Sequence, residues 1–348
     1  MSAGGPEGID VEAVTTWYEQ HVPAAAPPLS FALVAGGRSN LTFAVTDAAG
    51  RRTILRRPPL GHVLATAHDV GREHRIIAAL AGTAVPVPGA IGFCDDAAVN
   101  GAPFYVMDFV EGTVIRDVGV GRAVLSEGDQ ARVADSLVDV LAALHAVDPD
   151  DAGLGDLGRK EGYIERQLRR WYRQWTDSQP SDVPDIEDVH ARLAAAIPQQ
   201  GRAGVVHGDY RIDNCVTGAD ARIAAVLDWE LCTLGDPLAD VGMLLICWAR
   251  PGDELVARPD SPTVLPGFPG REQVLARYAS VSGRDVSGIA YYQAFAFWKL
   301  ACISAGVFAR YAAGAMGAQP GIDLSVMSAG VERLARAARA TLDATGAA

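Results

Sequence analysis

The chain has 348 residues, 49% hydrophobic and 21% charged, the balance of a globular protein with one large core or two modest ones. Its net charge of −12 and pI near 5.0 argue against a nucleic-acid binder, which would carry a basic footprint. Five cysteines (Cys94, Cys215, Cys232, Cys247, Cys302) form no C-x-x-C pair, which disfavours a disulfide framework or zinc site and predicts reduced, buried thiols in a cytoplasmic protein.

The opening MSAGGPEGID has neither a basic nor an apolar leader region, so no secretory signal is expected. Apolar runs such as Val241 to Ala249 are too short to span a bilayer, and no membrane partner is expected. Val11, Val14, Trp17, Tyr18 and Val22 recur at helical spacing and predict an amphipathic helix over Ile9 to Val22. Three short strands follow, at Ser30 to Val34, Leu41 to Thr46 and Arg52 to Arg56. The turns Gly36-Gly37-Arg38-Ser39-Asn40 and Asp47-Ala48-Ala49-Gly50 join them into an antiparallel meander. A helix over Asp69 to Leu80 and further strands at Gly89 to Cys94 and Pro103 to Val110 complete a β-rich segment.

From Ser126 the pattern turns helical, with Val133, Leu137, Val140, Leu141 and Leu144 at spacings of three and four. Further helices are expected at Glu161 to Trp175, Ile186 to Ala196, Pro237 to Ala249, Arg271 to Val281, Val286 to Ala313 and Leu324 to Leu342, interrupted by a β island over Val205 to Leu227. The expectation is an α+β, bilobal fold: a small β-rich lobe over 1–110 and a larger helical lobe over 111–348, hinged near Val110 to Thr113.

The strongest chemical signal is His207-Gly208-Asp209-Tyr210-Arg211-Ile212-Asp213-Asn214, an H-x-D-x-x-x-x-N run. It has the spacing of a kinase catalytic loop, in which the Asp accepts the substrate hydroxyl proton and the Asn holds Mg²⁺. Fourteen residues after Asn214, Ala225-Val226-Leu227-Asp228 ends an apolar run on a carboxylate. Mg²⁺ is a hard cation that takes carboxylate and amide oxygens, so Asn214 and Asp228 are the expected metal ligands and Asp209 the catalytic base. His207 has no His or Cys at ligand spacing and is expected to orient the loop by bonding backbone near the metal-binding Asp. Isolated Asp, Asn and Gly also favour turns; both motifs in order after a β-rich lobe argue against that plain reading.

The first lobe offers matching parts. Gly37 and Ser39, with Asn40, sit in a β-turn-β context where backbone N–H groups and a hydroxyl could cradle phosphates, although such a turn is also simply a hairpin. Thr53-Ile54-Leu55-Arg56 occupies the place of a kinase V-A-I-K, with Arg56 where the lysine would stand as a catalytic phosphate clamp. Glu73 on the following helix is its expected ion-pair partner, against the plain reading of two unconnected surface charges. Backbone groups of Asp108 and Val110 are expected to bond adenine.

These residues together resemble the aminoglycoside phosphotransferase and choline kinase-like superfamily over roughly Phe31 to Trp248. The run Val226-Leu-Asp-Trp-Glu-Leu-Cys-Thr-Leu-Gly-Asp-Pro-Leu-Ala-Asp240, with Gly37-Arg-Ser-Asn-Leu-Thr42 and Gly155-Asp-Leu-Gly-Arg-Lys160, looks like the kinase domains fused to some acyl-CoA dehydrogenases. The resemblance implies ATP and Mg²⁺ as cofactors, phosphorylation of a small-molecule hydroxyl in hydroxyacyl-CoA-like compounds, and a buttressing role for Asp240. A loop or N-cap contact for Asp240 stays open. Arg56 departs from the lysine common in drug-modifying members.

Arg159 to Arg173 carries six basic and two acidic residues, with Arg166, Arg169, Arg170 and Arg173 on one helical face among aromatics. That suits an anionic, coenzyme A-linked acceptor; the alternatives are a solvated, ion-paired face and an antibiotic acceptor. Gly153-Leu-Gly-Asp-Leu-Gly158 follows a helix and is read as a connecting loop, not a dinucleotide fingerprint. A non-catalytic nucleotide-binding module of the same fold is the reading of another class; the intact Asp209, Asn214 and Asp228 speak against it.

Overall fold

The computed structural model describes residues 5–34, 40–60, 69–178, 182–313 and 323–344. The chain divides into two compact units: Met1–Thr113 with Ala224–Leu231, and Val114–Ile223 with Cys232–Ala348.

In the first unit, helix α1 (Val11–His21) is capped by Asp10, whose carboxylate accepts the Ala13 amide at 3.0 Å, and it buries Val14, Trp17 and Tyr18 as the three-and-four spacing requires. Strands β1 (Ser30–Leu33), β2 (Leu41–Thr46) and β3 (Arg52–Arg57) form the expected antiparallel meander. Its second turn is closed by Asp47, whose Oδ1 accepts the Ala49 and Arg51 amides at 2.9 Å each. Helix α2 (Val70–Leu80), strand β4 (Ala90–Cys94), the short α3 (Ala97–Asn100) and β5 (Phe104–Asp108) follow. The strands make one antiparallel sheet in the order β1-β2-β3-β5-β4.

Period-two alternation assigns the two faces of this sheet. Phe43, Val45, Leu55, Phe104 and Val106 pack in the core with Trp17 and Tyr18 of α1. Arg56 lies opposite Tyr105 in register and points to the other face, where α2 packs. On α2 the buried positions Glu73, Ile76, Ile77 and Leu80 follow one another at helical spacing, so a carboxylate is carried inward with the apolar stripe.

The expected boundary at 110/111 differs from the structure, which leaves the first unit at Thr113 and returns to it for Ala224–Leu231. The Val226 amide donates to the Pro86 carbonyl at 2.8 Å, and a 3₁₀ turn at Trp229–Leu231 packs against α2. Asp228 therefore belongs with Arg56, although it follows the catalytic-loop motif in sequence.

The second unit contains α4 (Val118–Val124), α5 (Glu127–Ala146), α6 (Tyr163–Ser178) and α7 (Pro184–Ala195), preceded by the short strand β6 (Thr113–Val114) at its border. The β island resolves into β7 (Gly204–Val206), β8 (Cys215–Thr217) and β9 (Ile223–Val226), with β10 (Thr233–Gly235) pairing antiparallel to β7. Helices α8 (Leu238–Cys247), α9 (Arg271–Ser282), α10 (Ile289–Ala312) and α11 (Leu324–Ala344) complete it. Helix α5 starts with a capping box, Ser126 and Asp129 exchanging side-chain and backbone bonds. Helices α8 and α10 approach so closely that a Cβ on Gly242 would lie 2.6 Å from the Tyr292 carbonyl oxygen.

The expectation that no apolar stretch reaches bilayer length fails for α10, which passes by length and composition; 61% of its apolar window is buried inside the protein, packed against α11, α8 and α6. All five cysteines are buried, and none joins a disulfide.

Candidate active site

The first unit carries a buried charge network on the α2 side of its sheet. Arg56 Nε lies 3.1 Å from Glu73 Oε2, and Arg56 Nη2 donates to Asp228 Oδ1 at 2.6 Å. Glu73 also accepts from the Tyr105 hydroxyl at 3.2 Å and from the Asn40 amide nitrogen at 2.6 Å. Burial alone would weaken the Arg56 charge, but Glu73, Tyr105 and Asp228 outweigh it and hold the guanidinium protonated. Burial likewise raises the Glu73 carboxyl, opposed by Arg56 and by the Tyr105 and Asn40 donors. Asp228 sits at φ 64°, a left-handed conformation that non-glycine residues adopt at a cost and that Asp tolerates better than most.

An Arg56→Met variant would leave Glu73, 2% exposed, buried without its cation. A loss of about 3 kcal/mol in unfolding free energy is expected, measured by denaturant titration, with Arg56→Lys recovering part of it because an ammonium cannot span both carboxylates in the same fork.

Two expectations are revised here. The Asn40 side chain is buried at 2% exposure and its Nδ2 is donated to Glu73, so it ties the start of β2 to α2 instead of facing a phosphate. The Asp108 amide is already donated to the Gly89 carbonyl at 2.8 Å, which leaves only the Asp108 carbonyl for a base. Val110 lies just beyond β5. Gly37 and Ser39 fall outside the described residues.

The second unit carries the 207–214 loop. After β7 the chain turns through Gly208 at φ +86°, a conformation that glycine adopts without strain. Asp240 of α8, 1% exposed, accepts the His207 amide at 2.6 Å through Oδ2 and the Gly208 amide at 2.8 Å through Oδ1. Asp240 is thus the buttress that the family resemblance implied. Burial would raise its carboxyl, but the His145 hydrogen bond and the Gly208 amide help to bring it below the usual range. His145 Nε2 lies 3.3 Å from Asp240 Oδ2 and Nδ1 lies 2.7 Å from the Tyr278 hydroxyl. Because a carboxylate only accepts, the proton sits on Nε2 and Nδ1 accepts from Tyr278. Burial lowers the His145 pKa, consistent with this neutral tautomer.

His207 is fully buried, and its Nδ1 accepts the Asp209 amide at 3.2 Å, so the ring steadies the backbone at Asp209. Asp209 is held by Arg211 Nε at 3.2 Å and by Asn214 Nδ2 at 3.0 Å; the same Nδ2 reaches the Asp209 carbonyl at 2.8 Å. Nδ2 of Asn214 is spent on Asp209, which leaves its Oδ1, a hard oxygen of the kind that Mg²⁺ takes. Among the described residues no group of three or more His, Cys, Asp or Glu is assembled for a metal; Mg²⁺ typically takes one or two protein oxygens and completes its shell with waters and phosphates.

Arg211 and Lys299 were not singled out from sequence. The i+2 spacing from Asp209 was a usable signal for Arg211. For Lys299 no local signal exists.

The basic segment does not form one free face. Arg166 donates to the backbone carbonyls of Glu161, Arg159 and Leu234, and Lys160 pairs with Asp150. Arg170 lies 4.7 Å over the Trp171 ring. Arg169 and Arg173 are exposed and line a groove of about 480 Å³ with Tyr172, Thr176 and His190, where Tyr172 stacks on His190 at 3.9 Å.

The sequence model of the phosphotransferase enzyme family matches residues 30–265. Among curated proteins the chain is 34% identical over 278 residues to mouse (Mus musculus) acyl-CoA dehydrogenase family member 10, covering 79% of this chain and 26% of that protein. It is 31% identical over 315 residues to rat (Rattus norvegicus) acyl-CoA dehydrogenase family member 11, covering 88% and 40%. The chain thus spans about a quarter to two fifths of the length of these relatives. Among solved structures, a candidate aminoglycoside phosphotransferase of Ralstonia eutropha superposes with a TM-score of 0.77 at 31% identity, over 95% of this chain and 98% of that one. The GDP complex of aminoglycoside 2′-phosphotransferase-IIIa, at 14% identity and TM-score 0.62 over 95% and 99% of the chains, shares the fold.

Proposed function

The chain belongs to the phosphotransferase enzyme family, and from that premise we propose that it moves the γ-phosphoryl group of ATP to a hydroxyl of a small anionic acceptor of the hydroxyacyl-coenzyme A class. The observation that carries the reaction type is the restrained 207–214 loop. Its Asp209 carboxylate is positioned by Arg211, Asn214 and the His207–Asp240 scaffold.

In this reading Asp209 accepts the proton of the acceptor hydroxyl as its oxygen forms a bond to the γ-phosphorus; the bond from that phosphorus to the β–γ bridging oxygen breaks and ADP leaves. Asn214 through Oδ1 and Asp228 would be the residues to hold Mg²⁺, whose chemistry would be charge neutralisation at the phosphates. Arg56, fixed by Glu73, orients Asp228 and offers its remaining N–H donors to phosphate oxygens. The Asp108 carbonyl and the Val110 backbone are the groups offered to adenine. Catalysis is then mainly positioning and electrostatics.

Two features support the acceptor class. The larger relatives are named as acyl-CoA dehydrogenases, and the Arg169–Arg173 groove, with its stacked Tyr172 and His190, suits phosphate beside an aromatic base. Mg-ATP consumption should rise with a hydroxyacyl-coenzyme A and not with kanamycin or a macrolide, and Arg169→Glu with Arg173→Glu should raise KM for that acceptor about tenfold. An antibiotic acceptor is the second reading, favoured by the Ralstonia protein's description. Turnover with antibiotics and none with acyl-coenzyme A compounds would establish it in place of the first.

A further inference from the structure

We propose that Lys299 of α10 is a positioning residue for phosphoryl transfer: it clamps the Gly208–Asp209 peptide so that the Asp209 carboxylate is presented to the acceptor. This rests on the phosphotransferase reading above. Lys299 is 3% exposed, and its Nζ donates to the Gly208 carbonyl oxygen at 2.6 Å across 91 positions of sequence. That carbonyl belongs to the peptide leading into Asp209, whose N–H is held by His207 Nδ1 at 3.2 Å. On the other side of Gly208, the amide is held by Asp240 Oδ1 at 2.8 Å. Both peptide planes flanking a glycine at φ +86° are therefore pinned, at the one position in the loop where a peptide flip meets no Cβ.

Packing alone does not account for a lysine here. The surrounding α10 positions Phe295, Phe297, Trp298, Ala301 and Cys302 are buried and apolar, and an ammonium ion is costly to desolvate. The groups that face it explain its retention. Asp209 and Asp240 favour its charge, Arg170 opposes it, and the Trp171 ring lies 5.8 Å from Nζ. Burial pushes the ammonium pKa below its ordinary value and the two carboxylates pull it back. The side chain thus holds the loop by one directed bond and lies in the field of the same carboxylate that acts as base.

The experiment is the slow hydrolysis of Mg-ATP, in which water stands in for the acceptor, on the full chain. Lys299→Met keeps the length and removes the donor; Lys299→Gln keeps a donor without charge. Lys299→Met is expected to lower kcat about 10- to 100-fold, the cost of a misplaced catalytic group, while KM for ATP changes less than about threefold. Lys299→Gln is expected to recover part of the kcat. Hydrolysis by Lys299→Met at the wild-type rate, or a rise in KM that accounts for the whole loss, would overturn the proposal. Should Lys299→Met fail to fold, the glutamine variant decides by the same split: a lowered kcat with unchanged KM supports it, and wild-type kcat sinks it. If the wild-type chain neither binds nor hydrolyses Mg-ATP, it is the phosphotransferase reading that fails. Wild-type hydrolysis that Asp209→Ala abolishes and Lys299→Met leaves intact removes only the role of Lys299.

Discussion

Asp209→Asn is expected to reduce phosphoryl transfer by about 10³-fold while leaving the dissociation constant of Mg-ATP within about threefold of wild type. The asparagine can place its amide oxygen where Asp209 Oδ2 now accepts from Asn214 Nδ2 at 3.0 Å and Arg211 Nε at 3.3 Å, so the loop retains its shape and loses the ability to take a proton. General-base contributions are of this size, and none of the Asp209 contacts described above belongs to the Arg56–Glu73–Asp228 network. Single-turnover transfer measured beside calorimetric nucleotide titration separates the two quantities. Asp209→Ala should lose as much turnover. Asp228→Ala should instead weaken Mg-ATP binding, since it removes an oxygen donor and the partner of Arg56 at 2.6 Å. Near-wild-type turnover in both Asp209 variants would overturn the assignment of the base.

Asp240→Ala is expected to lower the unfolding free energy by about 3–5 kcal/mol, the range for removing one member of a buried, hydrogen-bonded charge cluster. Two buried backbone amides, of His207 and Gly208, would lose their acceptor, and His145 Nε2 would lose its own. Asp240→Asn should recover little, because both carboxylate oxygens accept and an amide group can replace only one of them. Denaturant titration followed by fluorescence of the buried tryptophans reports this directly. A change below about 1 kcal/mol in the alanine variant would mean that the loop is held by other contacts. Transfer should fall in the same variants beyond the loss of folded protein, since the backbone preceding Asp209 is no longer held.

The strands and helices of the first unit were legible because their signals are local. Period-two alternation in β2 and β3, the Asp47–Gly50 turn and the N-caps at Asp10 and Asp69 all act within a few residues. The stripe that carries Glu73 inward was visible as spacing, and its ion pair with Arg56 followed once the sheet face was assigned. The fate of Asn40 was not legible. A polar residue after a glycine-rich turn reads as solvent- or ligand-facing, and only the packing of α2 on the sheet shows that its amide is spent on Glu73.

The amino-acid sequence by itself was enough to place the chain in its phosphotransferase family and fold. The seven-residue interval from His207 to Asn214 and the carboxylate at Asp228 are properties of contiguous chain, and loop geometry at that range is set by neighbouring residues. Tertiary structure alone decided that Ala224–Leu231 returns to the first unit, that Asp240 holds two amides 32 and 33 positions away, and that Lys299 reaches Gly208 across 91. Hydrogen bonds between distant positions leave no periodic trace in a sequence. A lone lysine in an apolar helix carries the same letter whether it lies in solvent or in the core beneath a catalytic loop.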